Sequence, residues 1–129
     1  MDTTAQPIKV LVADDQDCFR AAATAVISET PGLLVCGTTA SANELPHLVA
    51  SLQPDVVLLD VRMPGEDPIA IALPMASRGE VAILLTSAFS RDDVPQECFD
   101  LGMGFLAKDE LGPDTIVRAL ATLPPTRSR

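Results

Sequence analysis

Tryptophan and tyrosine are absent from this chain, and its four phenylalanines bring the aromatic share to only 3%. A core assembled from it must be aliphatic, which suits buried parallel strands. Basic residues are few, nine Lys and Arg against eighteen Asp and Glu, giving a formal net charge of −9. That balance excludes the chain as a nucleic-acid or anionic-membrane binder in its own right. The three cysteines, Cys18, Cys36 and Cys98, are odd in number, far apart and without a CxxC pair. They exclude a disulfide framework and a zinc site and point to a reducing, cytoplasmic setting. Long apolar runs are missing too. Val56–Leu59 is far too short to span a bilayer, and the polar start of the chain carries no signal-peptide core.

What is present is one ordinary domain's worth of chain, 129 residues of which 47% are hydrophobic. That length buries roughly two thirds of the unfolded surface and needs no covalent staples. Ile8–Ala13 is an apolar, β-branched run that reads as a buried strand. Phe19, Ala22, Ala23, Val26 and Ile27 recur at helical spacing, predicting a helix over 17–29 that Pro31-Gly32 ends. Leu33–Thr39 is a second strand. A second helix carries Leu45, Leu48, Val49 and Leu52, with Asn43 as the preferred N-cap so that Pro46 falls in its first turn.

Val56–Asp60 is a third strand, followed by a Met63-Pro64-Gly65 loop. Asp67-Pro68 starts a third helix that Pro74 should shorten or kink. Val81–Leu85, running on to Thr86-Ser87, is a fourth strand, with a helix expected at about 92–101. Phe105–Ala107 is a fifth strand and 113–123 a last helix. Strands alternate with helices five times, so the sheet should be parallel with helices on both faces.

The polar residues fall in a pattern. The first strand ends in Asp14-Asp15, the third in Asp60, the fourth in Thr86 and the fifth in Lys108. The carboxyl edge is where open α/β sheets bind ligands. Carboxylates gathered there repel one another unless a cation intervenes. With no His or Cys nearby, a hard ion taking oxygen ligands, Mg²⁺, fits best. A remaining carboxylate could act as a nucleophile toward phosphorus. Lys108 and Thr86 would contact phosphoryl oxygens.

At these residues the chain resembles the receiver domains of two-component response regulators. The segments that carry the likeness are IKVLVADD (8–15), PDVVLLDVRMPG (54–65), Thr86-Ser87 and GFLAK (104–108). The first and third segments are most similar to the subfamily with a helix-turn-helix DNA-binding output. The resemblance implies a doubly wound five-stranded parallel sheet of flavodoxin-like order 2-1-3-4-5. It divides the chain into a tail (1–7), a receiver domain (8–123) and a linker or tail (124–129), with no output domain. It implies that Asp60 accepts a phosphoryl group from a histidine kinase. Asp15, Asp60 and the Arg62 backbone carbonyl would ligate Mg²⁺, with Asp14 assisting through water. Asp14, Asp15, Thr86 and Lys108 would serve the chemistry. Thr86 and Phe105 would form a switch acting on the face made by the fourth helix, fifth strand and fifth helix. That face would serve a homodimer, an effector or the output domain.

Pro68 stands where the family usually has a second glycine, and Pro46 and Pro74 lie in segments normally unbroken. Gly102 sits one position late, and Asp109 follows Lys108 where many receivers have proline. A polar turn or helix cap could also explain Asp14-Asp15, and a core role could explain Phe105. His47 reads as a surface residue, the cysteines as small buried apolar residues, and Arg127 and Arg129 as linker. Three other functions share parts of the pattern. A pseudo-receiver would keep the fold as a phosphorylation-independent interaction domain. An aspartyl phosphatase would carry Asp-x-Asp after its first strand. A flavodoxin-like binder would need a Ser/Thr/Gly-rich loop where Asp14-Asp15 stands. The expected activity is therefore a self-catalysed phosphoryl acceptor, not an enzyme with turnover.

Overall fold

The computed structural model describes residues 6–124. The expectations for the extreme tails, 1–5 and 125–129, lie outside the described residues. Strands β1 (Ile8–Ala13), β2 (Leu33–Thr39), β3 (Val56–Asp60), β4 (Ala82–Ser87) and β5 (Gly104–Ala107) form one parallel sheet of order β2-β1-β3-β4-β5. Helices α1 (Asp17–Ser28), α2 (Leu45–Leu52), α3 (Pro68–Ser77), α4 (Gln96–Asp100) and α5 (Pro113–Ala121) connect and cover it. All five residues of β3 and all six of β4 are buried, which is why they read as unbroken apolar runs.

Alternate residues of each strand feed two separate cores. Leu11, Val57, Leu59, Ile83 and Leu85 pack toward α2, α3 and α4 with Leu45, Met75 and Cys98. Val10, Val12, Leu58 and Leu84 face α1 and α5 with Phe19, Ile27 and Ile116. Each fully buried leucine or isoleucine contributes about 1.5–3 kcal/mol. Of the cysteines, Cys98 is buried, Cys36 half-buried and Cys18 exposed, so the reading as buried apolar residues fails at Cys18. His47 is exposed.

Three helices differ from the sequence expectation, each through a proline or a cap. The fourth was expected over 92–101, yet a 3₁₀ turn (Arg91–Asp93) comes first and α4 begins at Gln96. The cause is Pro95. It disfavours helical backbone at Val94, which is extended at φ −95 and ψ 128. The second helix places Pro46 in its first turn as expected, but its N-cap is Glu44 rather than Asn43, after a 3₁₀ turn at Ala42–Glu44. The third was expected to be short or kinked at Pro74. It runs ten residues through Pro74, with the Asp67 carboxylate accepting the Ala70 N–H at 3.2 Å.

Gly104 opens β5 in a narrow gap. A Cβ there would lie 2.9 Å from Leu123 Cδ2 and 3.1 Å from Leu84 Cδ1. Gly104→Val is expected to destabilise the domain by about 2 kcal/mol, the usual result of overpacking. A urea melt would show the midpoint falling with the slope unchanged; an unaltered midpoint would contradict it.

Candidate functional site

Strand register builds the site. Ala13 pairs with Leu59 across β1–β3, so the residue following each, Asp14 and Asp60, emerges at the same level. Asp60 itself pairs with Thr86, and Ser87 with Ala107, which brings Lys108 in beside them. All five polar residues singled out in the sequence therefore meet at one edge. Asp14 (1% exposed), Asp60 (4%) and Thr86 (1%) are buried, and Asp15 is exposed. Asp14, Asp15 and Asp60 each offer a carboxylate oxygen, and these atoms all lie within 4.8 Å of one another. Three hard oxygen donors so spaced fit a single divalent cation.

Lys108 is the counter-charge. Its Nζ lies 2.6 Å from Asp14 Oδ2 and 3.2 Å from Asp60 Oδ2, and donates to Gln16 Oε1 at 3.0 Å. The ammonium also sits 4.6 Å from the centre of the Phe19 ring. Burial alone would lower its pKa, but the Asp14 hydrogen bond and the Asp60 and Asp14 charges outweigh it, holding Lys108 above the ordinary lysine value. Burial pushes the Asp60 carboxyl above the ordinary aspartate value. The Arg62 N–H, donating to Asp60 Oδ1 at 3.1 Å, opposes that rise; the Asp14 charge adds to it, and Lys108 opposes it.

The remaining groups are oriented by backbone. Asp14 Oδ1 accepts the Gln16 N–H at 2.8 Å, and the Asp14 carbonyl accepts from Arg20 Nη1 at 2.6 Å. The Val61 N–H donates to the Thr86 carbonyl at 3.0 Å, locking the start of the β3–α3 loop onto β4. The Thr86 hydroxyl oxygen is buried and has no hydrogen-bond partner among the described residues. Such an orphan in a native fold calls for an explanation, and a ligand that binds there is one. At the same edge opens a cavity of about 140 Å³ lined by Asp15, Asp60, Arg62, Ser87, Phe89 and Lys108 among others. Phe105, the expected switch residue, is half-buried against the α2–α3–α4 core, next to Leu85 in register.

Several contributors escaped the sequence reading. Gln16 and Phe19 both serve Lys108, and Phe19 was legible only as a helical core position. The Arg62 guanidinium lies over the Phe89 ring at 4.6 Å and 3.8 Å from Asp93, so it closes one side of the cavity. Nothing in the sequence paired 62 with 89. Glu66 reaches a turn 24 residues upstream through backbone N–H groups, which leave no residue signature.

A parallel α/β domain that collects acidic residues, a threonine and a lysine at its carboxyl edge has the layout of a ligand-binding α/β module. Residues 10–121 match the response regulator receiver domain model, and the chain belongs to that family. It is 31% identical over 118 residues to the transcriptional regulatory protein LnrK of Bacillus subtilis, covering 90% of this chain and 53% of that protein. It is likewise 31% identical over 115 residues to the response regulator GacA of Pseudomonas aeruginosa, covering 88% and 53%. Among solved structures, the signal receiver domain of NarL from Mycobacterium tuberculosis superposes with a TM-score of 0.78 at 30% identity, over 91% of this chain and 95% of that one. The chain spans about half the length of these two curated relatives. No described helix is long and apolar enough to cross a membrane.

Proposed function

We propose that this domain is a phosphorylation-dependent switch that takes a phosphoryl group from a histidine kinase onto Asp60. The observation that carries the reading is Lys108 spanning Asp14 and Asp60, with Asp60 in register with Thr86, whose hydroxyl has no partner among the described residues. Asp15, Asp60 and the Arg62 carbonyl would hold Mg²⁺, with Asp14 assisting through water; the ion would neutralise charge on the transferring group. An Asp60 carboxylate oxygen attacks phosphorus. The bond from phosphorus to the donor's imidazole nitrogen breaks, and the imidazole leaves with that electron pair. Lys108 turns from Asp60 to one phosphoryl oxygen, and the Thr86 hydroxyl donates to another.

Drawing Thr86 toward the phosphoryl group vacates space that Phe105 fills, which alters the α4–β5–α5 face. Val117 on α5 is 47% exposed, and Leu101, which caps the end of α4, is 36% exposed. Such apolar groups suit a homodimer, an effector or an output domain. Since LnrK is a transcriptional regulatory protein, the output we favour is a DNA-binding domain controlling transcription. The domain catalyses its own phosphorylation and dephosphorylation without turning over a separate substrate. Three free thiols fit the reducing cytoplasm.

The test is intact mass after incubation with Mg²⁺ and acetyl phosphate, beside Asp60→Asn. One added phosphoryl group in the parent and none in the variant is the expected result. No addition to the folded parent, while another receiver is labelled in parallel, would reject the switch in favour of a phosphorylation-independent interaction domain.

A further inference from the structure

Glu66 lies six residues after Asp60, in the loop between β3 and α3, and its carboxylate is spent on a different part of the chain. Oε1 accepts the Ala42 N–H at 2.5 Å and the Asn43 N–H at 3.3 Å, while Oε2 accepts the Ser41 hydroxyl at 2.8 Å. These are the open N–H groups of the 3₁₀ turn that leads into α2. Such groups are ordinarily satisfied by a local side chain. Here neither the Ser41 nor the Glu44 side chain caps its own helix. The cap is supplied from the far side of the site.

The two loops joined in this way follow β2, whose last residue bonds Asp14, and β3, which ends in Asp60. The Thr39 carbonyl, at the end of β2, accepts the Asp14 N–H at 3.0 Å, and Thr39 Oγ1 bonds Glu44 Oε1 at 2.5 Å. On the other side, the Glu66 N–H donates to the Met63 carbonyl at 3.0 Å, and Met63 is 3% exposed in the core. Arg62, just before it, donates its N–H to Asp60 Oδ1. The loop after Asp60 is therefore pinned at Val61, at Met63 and at Glu66. Among the described residues, the hydrogen bonds that tie it to the β2–α2 turn come from Glu66.

We propose that Glu66 is a positioning residue for phosphoryl transfer: by clasping the Ser41–Asn43 turn it fixes the Arg62–Gly65 backbone and thus the aim of Asp60 relative to Asp14. The inference rests on Asp60 being the acceptor. It depends on the reach and acceptor geometry of the carboxylate and not on its charge, which sets up a discriminating series. Glu66→Gln keeps the reach and the acceptor for the two N–H groups, and its amide can donate to the Ser41 hydroxyl. Glu66→Asp keeps the charge and loses the reach. Glu66→Ala loses both.

The measurement is the rate of labelling by acetyl phosphate in Mg²⁺, together with amide hydrogen exchange at Ala42, Asn43 and Arg62 in the unlabelled chain. A displacement of the order of 1 Å lowers reaction rates by up to about a hundredfold, so a drop of about tenfold is expected for Glu66→Ala and Glu66→Asp. Glu66→Gln should stay within about twofold of the parent. Exchange at all three amides should quicken in Ala and Asp and hold in Gln. A rate lost in Gln but kept in Asp would show a charge effect and overturn the proposal. So would Ala labelling at the parental rate. If the parent itself takes no phosphoryl group, the acceptor reading is what has failed. Exchange then still decides the clasp, because an Arg62 amide indifferent to Glu66→Ala would overturn it.

Discussion

Lys108→Met is expected to lower the stability of the domain by about 3 kcal/mol at neutral pH without divalent cations, the usual effect of stripping one partner from buried charges. Methionine fills much of the same volume, so packing is a small part of the change. What is lost is the ammonium 2.6 Å from Asp14 and 3.2 Å from Asp60, two carboxylates 1% and 4% exposed. The sign of the pH dependence follows. In the parent, Lys108 has a folded pKa raised above its unfolded one. Its contribution is fully present at neutral pH and is lost only as pH climbs through that raised value. Asp60, already raised by burial, would rise further without Lys108. The folded variant would then bind more protons than its unfolded chain just above the ordinary carboxylate range. Its stability therefore falls as pH rises through that window, and the deficit shrinks in acid.

Urea melts at neutral and acidic pH would show this, and Mg²⁺ should restore more stability to the variant than to the parent by mass action. Adding Asp60→Asn to Lys108→Met should recover part of the loss. A variant within 1 kcal/mol of the parent at neutral pH would mean the lysine is not what balances the cluster.

Why the five polar residues were legible, and their supports were not, is a matter of what leaves a trace in one dimension. A fully buried parallel strand reads as an apolar run, so the first polar residue after it marks the carboxyl edge. Asp14 and Asp60 announce themselves that way, Thr86 is the first polar residue within buried β4, and Lys108 closes the short, largely half-buried β5. Parallel register then brings them level with no further information. The helices were harder. Val94-Pro95 splits the 92–101 segment because proline constrains the residue before it, a local rule that the single helix expected over 92–101 left out. Pro74 is tolerated because the carbonyl it leaves unbonded belongs to exposed Ala70. Gln16 and Glu66 were silent because each acts through a partner distant in sequence: Lys108 at 92 positions for Gln16, and backbone amides for Glu66.

Thr86→Val should separate folding from switching, with opposite signs. Valine has the shape of threonine, keeps the carbonyl that accepts the Val61 N–H, and suits a strand. What it removes is a buried hydroxyl with no partner among the described residues. Burying an unsatisfied polar group is unfavourable, so the unphosphorylated variant should be more stable by about 1 kcal/mol. That corresponds to a melting temperature roughly 3–5 °C higher. Thr86→Ser keeps the hydroxyl and deletes a buried methyl, and should be less stable by about 1 kcal/mol. The functional order reverses. Without the hydroxyl nothing draws residue 86 toward the phosphoryl group, so the valine variant should accept phosphate while its Phe105 ring resonances stay where they were. The serine variant should respond as the parent does. A fall in the melting temperature of Thr86→Val would show the hydroxyl to be satisfied in solution. A Phe105 shift of parental size in the phosphorylated valine variant would show that the aromatic moves without the threonine. Stability given up at a strand end for the sake of a ligand is the expected signature of a site kept for chemistry.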